Sequence, residues 1–171
     1  MKIQDIITES REYPEQPVYY FAYGMLTDPE IMVGAQLVGV GMLLNFKYQM
    51  YRWANVEPNT GSKVYGCLWA LDRKKISELD RAEGYPDLYD RRTYPVYVQG
   101  QKYAAEVYIM TPRTLRGVQG TKPKNEYIRR IKRGYTNAGV PLSQLYKSLK
   151  LLKSTSAAGI RVNDPSPWSD R

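Results

Sequence analysis

Residues 63–83 read KVYGCLWALDRKKISELDRAE, so a run of strand-forming residues passes directly into an amphipathic helix. Val, Tyr, Cys, Leu and Trp dominate residues 63–71, and this composition favours a β-strand. Gly66 inside the run indicates a bulge or a close approach of another backbone. Asp72 is a good helix N-cap, so the helix is predicted to begin directly after it.

The helix over residues 72–83 has one apolar face. Ile76, Leu79 and Glu83 stand at i, i+3 and i+7, which places them on the same side. Glu83 is therefore predicted to project from the side that packs inward. Burial raises the pKa of a carboxylic acid toward the range that a general acid/base needs. Position alone, however, favours the simpler interpretation of an exposed residue at a helix end.

The rest of the chain predicts a β-rich mixture of strands and helices. Sixteen tyrosines against two phenylalanines suit half-buried positions in a sheet. Six segments favour strands, namely 18–23, 38–44, 46–53, 63–71, 92–98 and 103–110. Residues 58–61, PNTG, predict a turn, and Gly100 predicts a short hairpin loop.

Three helices are predicted besides that at 72–83. A short one begins at TDPEIM, residues 27–32, and two more follow at 125–137 and from Pro141 to Leu152. Residues 111–125 are predicted to form a loop. The organisation is thus an N-terminal arm (1–17), one α+β domain (18–153) and a flexible C-terminal tail (154–171).

The side-chain inventory excludes several kinds of active site. The chain has one cysteine, Cys67, and no histidine. It cannot build a disulfide, a Cys-His dyad, a Ser-His-Asp triad or a thiolate/imidazole zinc site. Catalytic proton transfer would then fall to Asp or Glu. Cys67 lies in an apolar strand and is predicted to serve packing.

No apolar run approaches the length of a membrane span, and the polar start MKIQDIITES lacks the apolar core of a signal peptide. We therefore expect a soluble protein in the reducing cytoplasm, with no membrane partner.

The positive charge is regional. Residues 113–153 hold eleven Lys/Arg and a single acid, Glu126, whereas residues 1–112 carry twelve basic and fourteen acidic residues. An anionic partner such as nucleic acid is one interpretation, and a solvated helix face is the favoured one. Nucleic-acid binding ranks last because Arg129, Arg130, Lys132 and Arg133 spread round the helix and no recognised motif accompanies them.

The segment YFAYGML, residues 20–26, passes from a strand through Gly24 toward a helix start. Glycine permits a sharp turn, and the exposed amides of such a turn can bind an anion such as an α-carboxylate. Strands end at glycine in many proteins, and the repeated glycines of a phosphate loop are missing. Taken alone the pattern is therefore weak.

The order of the motifs is more specific, because it resembles the γ-glutamylcyclotransferase-like superfamily. The matching pieces are YFAYG (20–24), KVYGCLWAL (63–71), LDRAEGYPDLYDRR (79–92), AEVYIM (105–110) and YIRRIKRGYTNAGVPLSQLYKSL (127–149). The resemblance spans roughly residues 18–150. It implies a small mixed, mainly antiparallel β-barrel, closed or nearly closed, with helices packed outside.

The same resemblance implies an enzyme that cyclises a γ-glutamyl group to 5-oxoproline and releases an amine, without cofactor or metal. Glu83 falls on the catalytic glutamate of the family. The implied substrate-binding residues are Tyr20, Phe21, Ala22, Tyr23, Gly24, Met25, Leu26, Tyr89, Tyr108 and Tyr127. Glutathione-type members usually read YGSN where this chain reads YGML. The leaving amine stays open among glutathione, a γ-glutamyl-amino acid and γ-glutamyl-lysine, and both a monomer and a homodimer remain possible.

A different class of function is a non-catalytic binding module on the same fold, since fold does not dictate function. Retention of Glu83 favours catalysis, whereas the altered YGML segment favours the binding module.

Overall fold

The computed structural model describes residues 16–157, which form a five-stranded barrel. Its strands are β1 (Val18–Ala22), β2 (Gln36–Met50), β3 (Ala54–Leu71), β4 (Tyr89–Val98) and β5 (Gln101–Met110). They follow the order β1-β3-β2-β4-β5, and a parallel pair between β1 and β5 closes the barrel. All other pairs are antiparallel. The predicted mainly antiparallel barrel is confirmed.

Four helices accompany the barrel, α1 (Arg73–Glu83), α2 (Pro112–Gly117), α3 (Asn125–Ala138) and α4 (Ser143–Ala157). Asp72 caps α1 as predicted, accepting from the backbone N–H of Lys74 at 3.1 Å. The predicted arm lies outside the described residues except for its last two. The last helix is longer than predicted, because α4 continues past Leu152 to Ala157. The rest of the segment predicted as a tail lies outside the described range.

The hairpin of β2 and β3 corrects the predicted turn at residues 58–61. Leu44 pairs with Lys63 and Phe46 pairs with Pro58, so the intervening residues form a bulge opposite Asn45. Asn45 adopts a φ of 63° and accepts from the N–H of Gly61 at 3.1 Å. The turn-forming residues thus interrupt a strand without ending it. Asn45 likewise interrupts the pairing without ending the strand, so the two predicted strands at 38–44 and 46–53 are one strand, β2, which ends at Met50.

Two further predictions about local structure were wrong. Residues 27–32 do not form a helix: a 3₁₀ turn covers Met25–Thr27, and the side chain of Asp28 then accepts from the N–H of Glu30 at 3.1 Å. The predicted loop at 111–125 contains α2, whose N-cap Thr111 accepts from the N–H of Thr114 at 3.2 Å. Thr-Pro at a helix start is the signal that was available.

Gly66 confirms the predicted close approach of two backbones. A Cβ at this position would lie 2.2 Å from the carbonyl oxygen of Ala22 and 2.8 Å from the ring of Phe21. Ala22 pairs across the sheet with Cys67, which is fully buried. Burial raises the pKa of the Cys67 thiol to about 12, so the group is an inert packing residue, as predicted.

Helix α3 is fixed on the segment that follows β1. The Tyr135 hydroxyl donates to the carbonyl of Tyr23 at 2.6 Å. Arg133 and Asn137 donate to the buried carboxylate of Asp28 at 2.8 and 3.2 Å. Burial alone would raise the pKa of Asp28, but these hydrogen bonds and that from the Glu30 N–H lower it. The charged form of Asp28 therefore joins α3 to the turn.

Gly134→Ala is expected to destabilise the fold, because α3 has no space for a side chain where it meets the turn. The new Cβ would lie 2.5 Å from the Thr27 Oγ1 and 3.0 Å from the backbone nitrogen of Asp28. Overpacking of this kind costs about 1–3 kcal/mol. Urea unfolding would measure it. Gly117→Ala is the control, since nothing lies within 4 Å of its Cβ. Equal stability of the two variants would contradict the tight docking of α3.

Candidate functional site

A cavity of about 840 Å³ opens where β1 and α1 end and where β3, β4 and α3 begin. Its lining residues are Tyr20, Tyr23, Gly24, Met25, Leu26, Trp53, Ala54, Ala82, Glu83, Leu88, Tyr89, Tyr108, Lys124, Glu126, Tyr127 and Arg130. The tyrosines from the strands are buried and form its base, whereas the charged residues of α3 are exposed and form its rim. Its size suits a small organic ligand.

Glu83 is the last residue of α1 and lies in this cavity, half-buried. Gly84 ends the helix in a left-handed conformation with a φ of 64°. The N–H of Tyr85 donates back to the carbonyl of Asp80 at 2.8 Å, which closes the last turn. The exposed helix-end interpretation is therefore wrong for Glu83. Its side chain stands where the helix stops and the cavity begins.

The negative charge of Glu83 raises the pKa of the buried tyrosines in the cavity. Burial raises the pKa of Tyr20 and of Tyr23 well above the ordinary value of 10.0, and the negative charge of Glu83 is the next largest cause. The pKa of Tyr89 is raised by burial, by Tyr23 and Tyr127, and then by Glu83. All three hydroxyls thus remain protonated near neutral pH and can only form neutral hydrogen bonds.

Three tyrosines that line the cavity donate their hydroxyl hydrogens to other protein atoms. Tyr23 donates to the carbonyl of Tyr108 at 2.5 Å, and Tyr89 donates to that of Ala54 at 2.8 Å. Tyr108 donates to the carboxylate of Asp80 at 2.7 Å. The oxygens of these hydroxyls can still accept a hydrogen bond from a ligand.

Asp80 anchors the end of α1 to the barrel. Besides the bond from Tyr108, its carboxylate receives Arg91 of β4 at 2.6 Å. Asp80 precedes Glu83 by three residues, so the two carboxylates lie on neighbouring positions of one helix face. Tyr108 and Arg91 therefore hold the last turns of α1, which end at Glu83, against the barrel.

The backbone after β1 presents donors to the cavity. Within residues 16–157, the N–H groups of Gly24, Met25 and Leu26 have no hydrogen-bond acceptor. Adjacent unpaired amides of this kind form a cradle for an anion. The φ of Gly24 is −114°, outside the left-handed region, so its φ does not require glycine. A Cβ at this position would stand 3.6 Å from the Tyr127 hydroxyl, an ordinary van der Waals contact, so packing does not require glycine either.

Tyr127 lies in the first turn of α3 and connects this helix to the start of β3. Its hydroxyl accepts from the N–H of Ala54 at 3.1 Å. Burial raises the pKa of Tyr127, the bond from Ala54 lowers it, and the Glu83 charge raises it again. The sequence had placed Tyr127 in the site, and the structure brings it there.

Two residues expected in the substrate-binding segment do not line the cavity. Phe21 and Ala22 are buried in the barrel, where both press against Gly66 of the neighbouring strand. Successive side chains of a strand point to opposite faces, so Phe21 faces away from Tyr20. Ala22 pairs with Cys67 of β3, and its small side chain is buried there. The expectation for Phe21 and Ala22 is corrected to a role in packing.

Several lining residues escaped sequence reasoning. They are Trp53, Ala54, Ala82, Leu88, Lys124, Glu126 and Arg130. Trp53 lies in the chain reversal between β2 and β3, and Ala54 is the first residue of β3. The run of positive charge at 113–153 was the available signal for Lys124 and Arg130, although a solvated face was the favoured interpretation.

Three arginines of that region form ion pairs within the fold. Arg129 and Arg130 contact Glu126 at 2.6 and 3.4 Å, and Arg133 reaches Glu30 as well as Asp28. Among the described residues, no group of three or more His, Cys, Asp or Glu side chains is placed to share a metal ion. Nor does that part of the chain contain a helix long and apolar enough to cross a membrane.

The barrel has the fold of solved γ-glutamyl cyclotransferase-like structures. An uncharacterized human protein superposes with a TM-score of 0.65 at 24% identity, covering 89% of this chain and 92% of its own. A structure described as gamma-glutamyl cyclotransferase gives a TM-score of 0.62 at 21% identity, covering 87% and 90%. YkqA from Bacillus subtilis gives 0.64 at 20%, covering 81% and 55%.

A family model described as gamma-glutamyl cyclotransferase, AIG2-like matches residues 20–134. The chain therefore belongs to this family, as its motifs indicated. No curated protein sequence matches it significantly.

The free energy of unfolding is expected to fall above pH 10. Because burial and Glu83 raise the pKa of Tyr20 and Tyr23 above 10.0, the folded state keeps protons that the unfolded chain loses. Their contribution is complete below the unfolded pKa and is lost as pH rises, by about 1.4 kcal/mol per pH unit for each tyrosine. Urea unfolding from about pH 8 to pH 11 measures this slope. Tyr20→Phe should make the slope shallower; an unchanged slope would contradict the burial of this hydroxyl.

Proposed function

We propose that this protein is a γ-glutamylcyclotransferase-type enzyme. It converts the γ-glutamyl group of a γ-glutamyl amide or peptide to 5-oxoproline and releases the free amine, with Glu83 as general acid/base. The observation that carries the proposal is the position of Glu83 at the edge of a cavity whose base holds buried tyrosines and unpaired backbone amides.

The polar groups of the cavity match the two ends of a glutamyl group. The unpaired N–H groups of Gly24, Met25 and Leu26 suit its α-carboxylate or the oxyanion that develops at the γ-carbonyl. Glu83 suits its α-ammonium, because a carboxylate both attracts this cation and accepts its proton. The neutral oxygens of Tyr89 and Tyr108 offer further acceptors.

The proposed reaction is an intramolecular acyl transfer. Glu83 takes one proton from the α-ammonium, and the freed amine attacks the γ-carbonyl carbon to form the lactam C–N bond. The tetrahedral carbon then expels the original amide nitrogen, which receives the proton held by Glu83. Glu83 takes the second proton from the ring nitrogen, which leaves the neutral lactam, and passes it to the released amine, which departs as an ammonium ion while Glu83 returns to its charged form. Bonds and protons balance without water, metal or an enzyme nucleophile.

Two physical effects supply the acceleration. A cavity that holds the glutamyl chain curled brings the amine onto the carbonyl, and such proximity contributes up to about 7–11 kcal/mol in favourable cases. One backbone donor aimed at the developing oxyanion contributes about 3 kcal/mol. Both effects depend on fixed geometry, which the anchoring of α1 through Asp80 and of α3 through Asp28 supports.

The alternative is a non-catalytic module that binds a small molecule in the same cavity. The observation that favours it is the apolar character of Met25 and Leu26, which line the cavity but carry no polar side chain. Saturable binding of γ-glutamyl compounds without any 5-oxoproline would support this module.

The test is release of 5-oxoproline from glutathione, γ-glutamyl-amino acids and γ-glutamyl-lysine. Glu83→Gln should retain the fold and lower turnover of the accepted substrate by about 10²–10⁴-fold, because glutamine cannot exchange the proton. Glu78→Gln is the matched control: Glu78 lies on the same helix, is exposed and forms an ion pair with Lys75. Near-normal turnover of Glu83→Gln would overturn the assignment.

A further inference from the structure

Arg91 of β4 contacts the chain on both sides of Glu83. Its Nη1 lies 2.6 Å from the Oδ2 of Asp80, which precedes Glu83 on α1. Its guanidinium also lies over the ring of Tyr85, which follows Glu83, with 5.1 Å between Cζ and the ring centroid. A third contact, of 3.7 Å between Nε and the carboxylate of Glu106, joins the same side chain to β5. One half-buried cation thus connects the end of α1 to two strands of the barrel.

Arg91 also balances the charge beside Glu83. Asp80 and Glu83 lie on neighbouring positions of one helix face, and two like charges this close disfavour each other's ionised form. The other partner of Asp80, the Tyr108 hydroxyl at 2.7 Å, is uncharged, because burial and its bond to Asp80 raise its pKa. Removal of Arg91 would therefore leave Glu83 beside a carboxylate that no cation neutralises.

We propose that Arg91 is a positioning residue for the general acid/base. It holds the chain on both sides of Glu83 and neutralises Asp80, although it does not itself line the cavity. This inference rests on the proposed function, in which Glu83 exchanges protons with the substrate. Arginine suits the role because its planar group can pair with a carboxylate and lie over an aromatic ring at once. Lysine would supply the charge without this geometry.

Other titratable groups face Glu83 from several elements. The hydroxyls are those of Tyr20, Tyr23, Tyr89 and Tyr127, and burial keeps them protonated near neutral pH. The charged residues across the cavity, Lys124, Glu126 and Arg130, come from the N-cap and first two turns of α3. All of these groups are retained in the variants compared below, so a difference among those variants reports on Arg91 and Asp80.

Carbon-13 NMR of the Glu83 carboxyl group in the unliganded protein tests the proposal without any turnover, and the spectrum of Glu83→Gln assigns the signal. Arg91→Gln should raise the midpoint of this titration by roughly 0.5–1 pH unit, because the charge of Asp80 then opposes ionisation of Glu83. The double variant Asp80→Asn/Arg91→Gln should return the midpoint close to the wild-type value. Arg91→Lys should keep the wild-type midpoint, because it keeps the positive charge.

Turnover of the accepted γ-glutamyl compound tests the geometric part of the role. Arg91→Gln and Arg91→Lys should both lower kcat by about tenfold and change KM less, because both lose the contacts that fix the end of α1 but keep the lining of the cavity. Partial unfolding alone would lower kcat without moving the NMR midpoint.

Arg92→Gln is the control, since it removes the same charge from the next residue of β4, an exposed side chain that pairs with Asp90 at 2.8 Å. It should retain the wild-type midpoint and kcat. If Arg91→Gln does not fold, Asp80→Asn tests the same coupling from the other side and should lower the midpoint. An unchanged midpoint in Arg91→Gln or in Asp80→Asn, or an equal shift in Arg92→Gln, would overturn the inference.

Failure of the proposed function is distinguishable from failure of the inference. A raised midpoint in Arg91→Gln, without 5-oxoproline from any γ-glutamyl compound, would contradict the proposed function and support the coupling of Arg91 to Glu83. Release of 5-oxoproline with an unchanged midpoint would overturn the coupling and leave the cyclotransferase assignment in place.

Discussion

The docking of α3 onto the segment after β1 is the contact on which the site depends. Arg133 and Asn137 hold the buried carboxylate of Asp28, Tyr135 holds the carbonyl of Tyr23, and Gly134 allows the two backbones to meet. A buried charge needs such hydrogen-bond partners to remain ionised. The amide cradle and the wall of the cavity are thereby fixed relative to each other, although more than a hundred residues separate them in sequence.

Different elements of the fold form the base and the rim of the cavity. Strand residues such as Tyr20 and Tyr89 give a buried base of neutral hydroxyls, and Glu83 at the end of α1 lies at its edge. Helix α3 contributes exposed charged residues of the rim, Glu126 and Arg130. A low-polarity base strengthens the action of each charge placed against it.

The sequence predicted α1, its cap and the inward position of Glu83, because capping and helical periodicity are local properties. It also predicted the closed mainly antiparallel barrel through the order of its motifs. It misjudged residues 58–61, because turn-forming residues there build a bulge against Asn45, a long-range pairing. It included Phe21 and Ala22 in the site because a continuous motif does not reveal which strand face meets the cavity. The rim residues depend on how α3 docks, which no local pattern encodes.

Product analysis in water enriched in ¹⁸O tests the central claim most directly, since that claim is cyclisation by the substrate's own amine. The account predicts that the accepted γ-glutamyl compound gives 5-oxoproline without ¹⁸O, because the γ-carbonyl keeps its original oxygen and no water attacks it. Mass spectrometry would read both products. Glutamate carrying one ¹⁸O would contradict the account, because it would show that water, and not the α-amine, attacks the carbonyl.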